Sequence, residues 1–156
     1  MSSVARTIQD GIHGVLEEAL ESLAVDDRTV TLVKLLPRQR HTNKGMPRVV
    51  VERPFIADVG PWSSESGAVV YTVPVGLYDG GGATADKIDE ARERLELLWQ
   101  KVRAALMADR HWGLAKYEFF SSFARFLVDE ITPADGANML LLPVSITVPV
   151  IPDAAE

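Results

Sequence analysis

Histidines are the first side chains to test for chemistry, because the chain contains no cysteine that could act as a nucleophile or a thiolate ligand. His13 falls in a helical pattern, His41 in a basic loop and His111 beside Trp112. None has a second histidine or a carboxylate at a recognised ligand spacing, which a zinc site would require. We interpret all three as ordinary polar or capping histidines and predict no metal site.

Motifs for nucleophilic catalysis or phosphate binding are also missing. No Gly-x-Ser-x-Gly elbow occurs, and Gly80–Gly82 lacks the residues of a dinucleotide or P-loop fingerprint, so it indicates a flexible break before a helix. Two acidic pairs, Asp26–Asp27 and Asp89–Glu90, are typical of a helix end and a solvated helix surface. The sequence predicts neither an enzyme nor a cofactor.

Charge is distributed unevenly along the 156 residues. The chain has 16 basic and 22 acidic residues, a net charge of −6, but residues 34–53 hold six of the bases against Glu52 alone. The remaining chain therefore has 10 basic and 21 acidic residues, a net charge of −11. One interpretation is a solvated loop. The other is a basic arm that contacts an acidic neighbouring subunit, or DNA passing nearby.

Two amphipathic helices are predicted. Apolar residues recur at spacings of three and four over Val4–Leu23, and Gly11 and Gly14 within that stretch allow close approach of another backbone. A second apolar stripe begins at Thr84 or Ala85 and runs to Asp109, with opposite charges three and four apart on its other face. Each helix has one apolar face, so we expect both to pack on a sheet.

Strands are predicted from β-rich and alternating runs. The predicted strands are Thr29–Leu36, Arg48–Glu52, Gly67–Tyr78, about Ala124–Ile131, and Met139–Val150. The first two would form a long hairpin around the basic loop, and Pro74 should mark an edge, a bulge or a change of partner. We predict one α+β domain over residues 1–156, with two helices packed on a mostly antiparallel sheet and a long basic β-hairpin loop.

This layout resembles the tail terminator (tail-completion) proteins of long-tailed bacteriophages. The likeness in size and element order is carried by four stretches. These are the helix Val4–Leu23, the Thr29–Glu52 hairpin with its loop, the Val69–Val75 strand that leads through Gly80–Gly82 into the helix Ile88–Leu106, and the closing strand Leu142–Val150. Proteins of this family are α+β subunits that form a ring, typically a hexamer, at the head-proximal end of the tail tube. The ring ends tube polymerisation and provides the surface for head–tail joining.

The resemblance implies a structural virion protein, assembled in the host cytoplasm, with no catalysis and no cofactor. Its implied partners are further copies of itself, the tail-tube protein and the head–neck connector protein, with DNA close by in the lumen. By position, we expect the basic residues to face the lumen or a stacked ring and two loops, 62–66 and 79–82, to contact neighbours. The candidate interface or lumen residues are Arg38, Arg40, His41, Lys44, Arg48, Trp62 and Asp79.

Other classes remain open at this point. The chain could be another neck or tail-tube component, and a tube subunit would polymerise alone where a terminator stops at one ring. A small-ligand-binding or enzyme domain would be a monomer or dimer with a large internal pocket. A nucleic-acid module would have to bind through the basic loop against a strongly acidic body. No secretory signal and no apolar run of about 20 residues occurs, so we expect no membrane association.

Overall fold

Both predicted helices are present in the computed structural model, which describes residues 3–34, 47–57, 67–80, 84–134 and 139–155. Helix α1 spans Val4–Glu18 and is followed by a short 3-10 helix over Leu20–Leu23, so the predicted first helix is divided near its end. Helix α2 spans Ala85–Ala108. Each begins at a hydroxyl cap: the Ser3 and Thr84 side chains accept hydrogen bonds from backbone N–H groups three residues on.

The described residues form seven strands in one sheet. The strands are β1 (Thr31–Lys34), β2 (Arg48–Val51), β3 (Phe55–Ile56), β4 (Val69–Gly80), β5 (Arg125–Val128), β6 (Thr132–Pro133) and β7 (Met139–Val150). Their order is β1-β2-β4-β7-β5, with β3 beside β4 and β6 beside β7. Every pairing except β1 with β2 is antiparallel, which confirms the α+β prediction and the closing strand.

The predicted hairpin is wrong in its strand direction. Strands β1 and β2 pair in parallel, with Thr31 opposite Arg48 and Lys34 opposite Val51. Parallel neighbours need a connection that returns along the sheet, so they require about a dozen residues where an antiparallel hairpin needs two. The segment between them is long enough for either connection, and its residues 35–46, which include Arg38, Arg40 and Lys44, lie outside the described residues.

Pro74 lies where β4 changes partner. Strand β2 ends opposite Val75 and β3 begins opposite Thr72, so residues 52–54 of the outer strand face residues 73–74 of β4. The extra outer residue makes a β-bulge. The Pro74 carbonyl accepts a hydrogen bond from this bulge. Because the nitrogen and the carbonyl of one strand residue point to the same side, the ring nitrogen also faces the interrupted part of the ladder, where no N–H is required. This confirms the prediction of a bulge and a change of partner.

A second proline repeats the arrangement on β7. Strand β5 ends opposite Val144 and β6 begins opposite Leu141, so residues 129–131 form another bulge beside Pro143. The Pro143 carbonyl accepts a 3.0 Å hydrogen bond from the first residue of that bulge. The two long inner strands therefore keep their own ladder unbroken, and both bulges lie on the outer strands.

The main core lies between the helices and one face of the sheet. It joins inward residues of β2, β4 and β7 to the apolar stripes of α1 and α2. Helix α1 and the segment after α2 meet at Gly11: a Cβ built there would lie 2.1 Å from the Trp112 carbonyl oxygen, whereas one built at Gly14 meets nothing within 4 Å. Of the two glycines expected to allow close approach, Gly11 is the one that does.

Candidate assembly surfaces

Five of the predicted interface residues lie outside the described residues: Arg38, Arg40, His41, Lys44 and Trp62. The structure therefore does not test their placement.

Arg48 opens β2 and is buried, with 2% of its surface exposed. It alternates with Val49 and Val51, which belong to the helix-covered core, so it lies on the opposite face of the sheet near Val50 and Tyr78. A buried side chain in a strand does not line a lumen, and this corrects the prediction for Arg48.

Asp79 is a buried ion-pair partner, which also corrects its prediction as a loop residue in contact with a neighbour. It lies near the end of β4, and its side chain is 1% exposed. Its Oδ2 accepts a 2.6 Å hydrogen bond from Arg94 Nε on α2, and its Oδ1 accepts one from the Gly80 N–H at 2.8 Å. Arg28 Nη1 lies 4.0 Å away, at the edge of an ion-pair contact. The carboxylate joins β4 to α2 inside the protein.

The two described histidines have local partners. His13 Nδ1 lies 3.4 Å from a carboxylate oxygen of Glu17, one helical turn away. The His111 Nδ1 lies 2.9 Å from the backbone oxygen of Phe119. Within the described ranges no cluster of three metal-ligating side chains occurs.

Aromatic side chains in and after α2 contribute to the core. Trp112 and Phe119 are fully buried and their rings lie 4.9 Å apart, and Tyr117 is 6% exposed. Trp99 is half-buried and packs edge-on against the Phe126 ring of β5 at 5.5 Å. These rings therefore stabilise the fold and are not the exposed apolar residues of the surface.

Exposed apolar residues concentrate on two short strands. Seven large apolar side chains are exposed in the described part of the chain, and four of them belong to β3 and β5. Phe55 and Ile56 on β3 are 55% and 65% exposed, and Leu127 and Val128 on β5 are 71% and 41% exposed. The predicted strands do not include residues 55–56, and apolar residues of the predicted strand Ala124–Ile131 are ordinarily assigned to the core.

Both strands are also edges. Strand β3 pairs with β4 and β5 pairs with β7, and neither has a second strand partner among the described residues. Backbone groups on the free side of an edge strand are a template for another chain. The Ala57 N–H donates to Val70 of β4 and the Asp129 N–H donates to Pro143 of β7. Because successive backbone groups point to alternate sides, those of Ile56, Phe126 and Val128 point away from the sheet.

A groove lies beside β5. It has a volume of about 660 Å³ and runs between α2 and the bulge after β5. Its lining includes Trp99 and the charged residues Arg92, Glu96, Asp129 and Glu130. A second groove of about 520 Å³ lies between α1 and α2 and is lined mainly by small residues. Both grooves are open to solvent at the surface.

Comparison with protein-family models and with curated proteins gives no match. The resemblance to tail terminators is therefore an expectation from the layout of the sequence. Among the helices described, none is both long enough and apolar enough to cross a membrane.

Proposed function

We propose that this chain is a tail terminator of a long-tailed bacteriophage, a structural subunit that forms a ring on the head-proximal end of the tail tube. The observation that carries the proposal is the pair of exposed apolar edges on opposite sides of one sheet, at Phe55–Ile56 and Leu127–Val128. Two different contact surfaces on one subunit permit head-to-tail association. Such contacts close into a ring when the rotation between neighbours allows it.

The element order supports the same proposal. The first helix, the long inner strand, the second helix and the closing antiparallel strand follow one another in the order that the resemblance describes. The Thr29–Glu52 stretch departs from it, because its two strands pair in parallel. In this function the ring acts by shape and surface complementarity: one side matches the last ring of the tube and the other side receives the neck of the head. The acidic body and the basic 34–53 segment then offer opposite charges to neighbouring subunits or rings.

Two measurements test the function. Mass photometry of the purified chain should show, alone or after tube protein is added, a discrete particle; six subunits of 17.1 kDa would give about 103 kDa. Adding the chain to polymerising tube protein from the same phage should shorten the tubes, and electron microscopy should show it at one end only.

A tail-tube subunit could use the same head-to-tail contact. Whether the chain forms tubes by itself therefore distinguishes a tube subunit from a terminator. Long tubes formed by the chain alone would identify a tube subunit and contradict termination. A chain that stays monomeric and leaves tube length unchanged would contradict both assignments.

A further inference from the structure

The two exposed edges run in opposite directions. Strand β3 is antiparallel to β4, β4 to β7, and β7 to β5, so β3 and β5 of one chain point opposite ways. A second copy rotated about an axis parallel to the strands keeps those directions. Its β5 then meets β3 of the first copy as an antiparallel neighbour, which is the more stable ladder geometry.

The outward backbone groups select a register for this contact. Ile56 and Phe126 both direct their N–H and C=O groups away from their own sheet, because the Ala57 and Asp129 N–H groups point into it and successive residues alternate. Placing Ile56 opposite Phe126 of the next copy lets the two residues exchange both hydrogen bonds. Pro54 has no N–H, so the ladder cannot extend far in that direction and the contact is short.

The same register matches the side chains. Phe55 falls opposite Leu127 as a pair without mutual hydrogen bonds, the position at which antiparallel side chains are closest. Both residues lie on the sheet face away from the helices, since they pair with Thr72 and Ser145 rather than with core positions. Arg53, which is exposed, comes close to the exposed Asp129 of the next copy, so the charges are opposite.

We propose that copies of this chain join by adding β5 of one subunit to β3 of the next, with Phe55 against Leu127 and Arg53 near Asp129. The inference rests on the proposed self-assembly and specifies its contact. The sheet would then continue from subunit to subunit, and the apolar side chains that are exposed in one chain would be covered in the assembly.

Cysteine cross-linking tests this register without background, because the chain contains no cysteine. Antiparallel residues that are paired without mutual hydrogen bonds have Cα atoms about 4.5 Å apart, within the range that a disulfide spans. Mild oxidation of the double variant Phe55→Cys/Leu127→Cys should give a ladder of covalent multimers on non-reducing gels, which reducing agent removes. Each single variant should give only the monomer band on the same gels. Leu97→Cys/Leu127→Cys is the matched control, since Leu97 is 45% exposed but lies on α2, and it should give no ladder.

Charge reversal gives an independent readout in the same double-cysteine background. Arg53→Asp should slow cross-linking by about 1.5- to fivefold, the range of an exposed ion pair, and adding Asp129→Arg should restore the rate. Circular dichroism should show unchanged folding for all of these exposed substitutions. If the reversal leaves the rate unchanged, the register is wrong.

The outcomes separate the contact from the function. Discrete wild-type rings without a ladder from the double variant would overturn the strand contact and leave the terminator function standing. Dimers from Leu127→Cys alone would overturn it in favour of a symmetric β5–β5 contact. A ladder from a chain that does not limit tube length would support the strand contact and contradict termination.

Discussion

Removing the Asp79 carboxylate should destabilise the protein far more than removing an exposed carboxylate at the same distance from its cation. Asp79→Ala leaves the Arg94 guanidinium, whose side chain is 9% exposed, without the acceptor that lies 2.6 Å from its Nε. Breaking one side of a buried pair costs about 3–5 kcal/mol. For a chain of this size that loss lowers the melting temperature by about 6–20 °C.

The Lys34–Asp10 pair is the matched control. Its Nζ–Oδ1 distance is 2.7 Å, almost the same as in the buried pair, but its side chains are 33% and 44% exposed. Water already solvates both charges, so Asp10→Ala should cost no more than about 1 kcal/mol. The two pairs have nearly the same distance between their charged atoms, so a difference in the cost of removing the carboxylate measures the effect of burial.

Chemical denaturation of the single variants and of Asp79→Ala/Arg94→Met measures the effect. The double variant should recover most of the loss, because replacing both charges with apolar groups leaves no unpaired ion. The Arg94 Nη2 contact to the Gly80 oxygen is long, at 3.5 Å, and should add little. If Asp79→Ala costs no more than Asp10→Ala, or if the double variant is no more stable than Asp79→Ala, the reasoning from burial is refuted.

Three further predictions concern close packing, pH and the edges. Gly11→Ala should cost about 1–3 kcal/mol, because its methyl meets a backbone oxygen, whereas Gly14→Ala in the same helix should gain about 0.5–1 kcal/mol; equal effects in urea denaturation would contradict the close approach. Burial raises the pKa of Tyr71 above 10.0, and the nearby Tyr117 adds a smaller increase. The unfolded chain therefore loses that proton first, so stability should fall as pH rises above about 10, and Tyr71→Phe should reduce the fall in alkaline melting curves. Leu127→Asp should lower the assembled mass seen by mass photometry without changing the melting temperature, whereas Leu97→Asp, also exposed, should leave both unchanged.

Elements with a strong local pattern were predictable from the sequence. The α2 boundaries were set by a hydroxyl cap at Thr84 and a long stripe of 3.6 period, and the Met139–Val150 strand by strict alternation. Pro74 indicated a bulge or a change of partner because a residue without an N–H cannot sit in an unbroken ladder. These features depend on a residue and its near neighbours, so one chain suffices to find them.

Pairing direction was not predictable in the same way. The runs that became β1 and β2 look alike whether they pair in parallel or antiparallel, because β propensity does not record the neighbour. Only the folded chain placed Thr31 beside Arg48 in parallel. The candidate site was missed for a related reason: Phe55 and Leu127 have the residue types of a core, and it is their place at the edges of the sheet that exposes them.

The charged residues also have some properties that the sequence determined and others that only the tertiary structure decided. The sequence by itself determined that the chain carries a basic segment on an acidic body and lacks the motifs of known chemistry, since composition and spacing are local properties. Tertiary structure alone decided that Asp79, although it adjoins a glycine run, is buried against Arg94, which lies 15 residues later in the chain on helix α2. Burial and charge pairing depend on which distant segments pack together, and that is the information that a linear pattern does not contain.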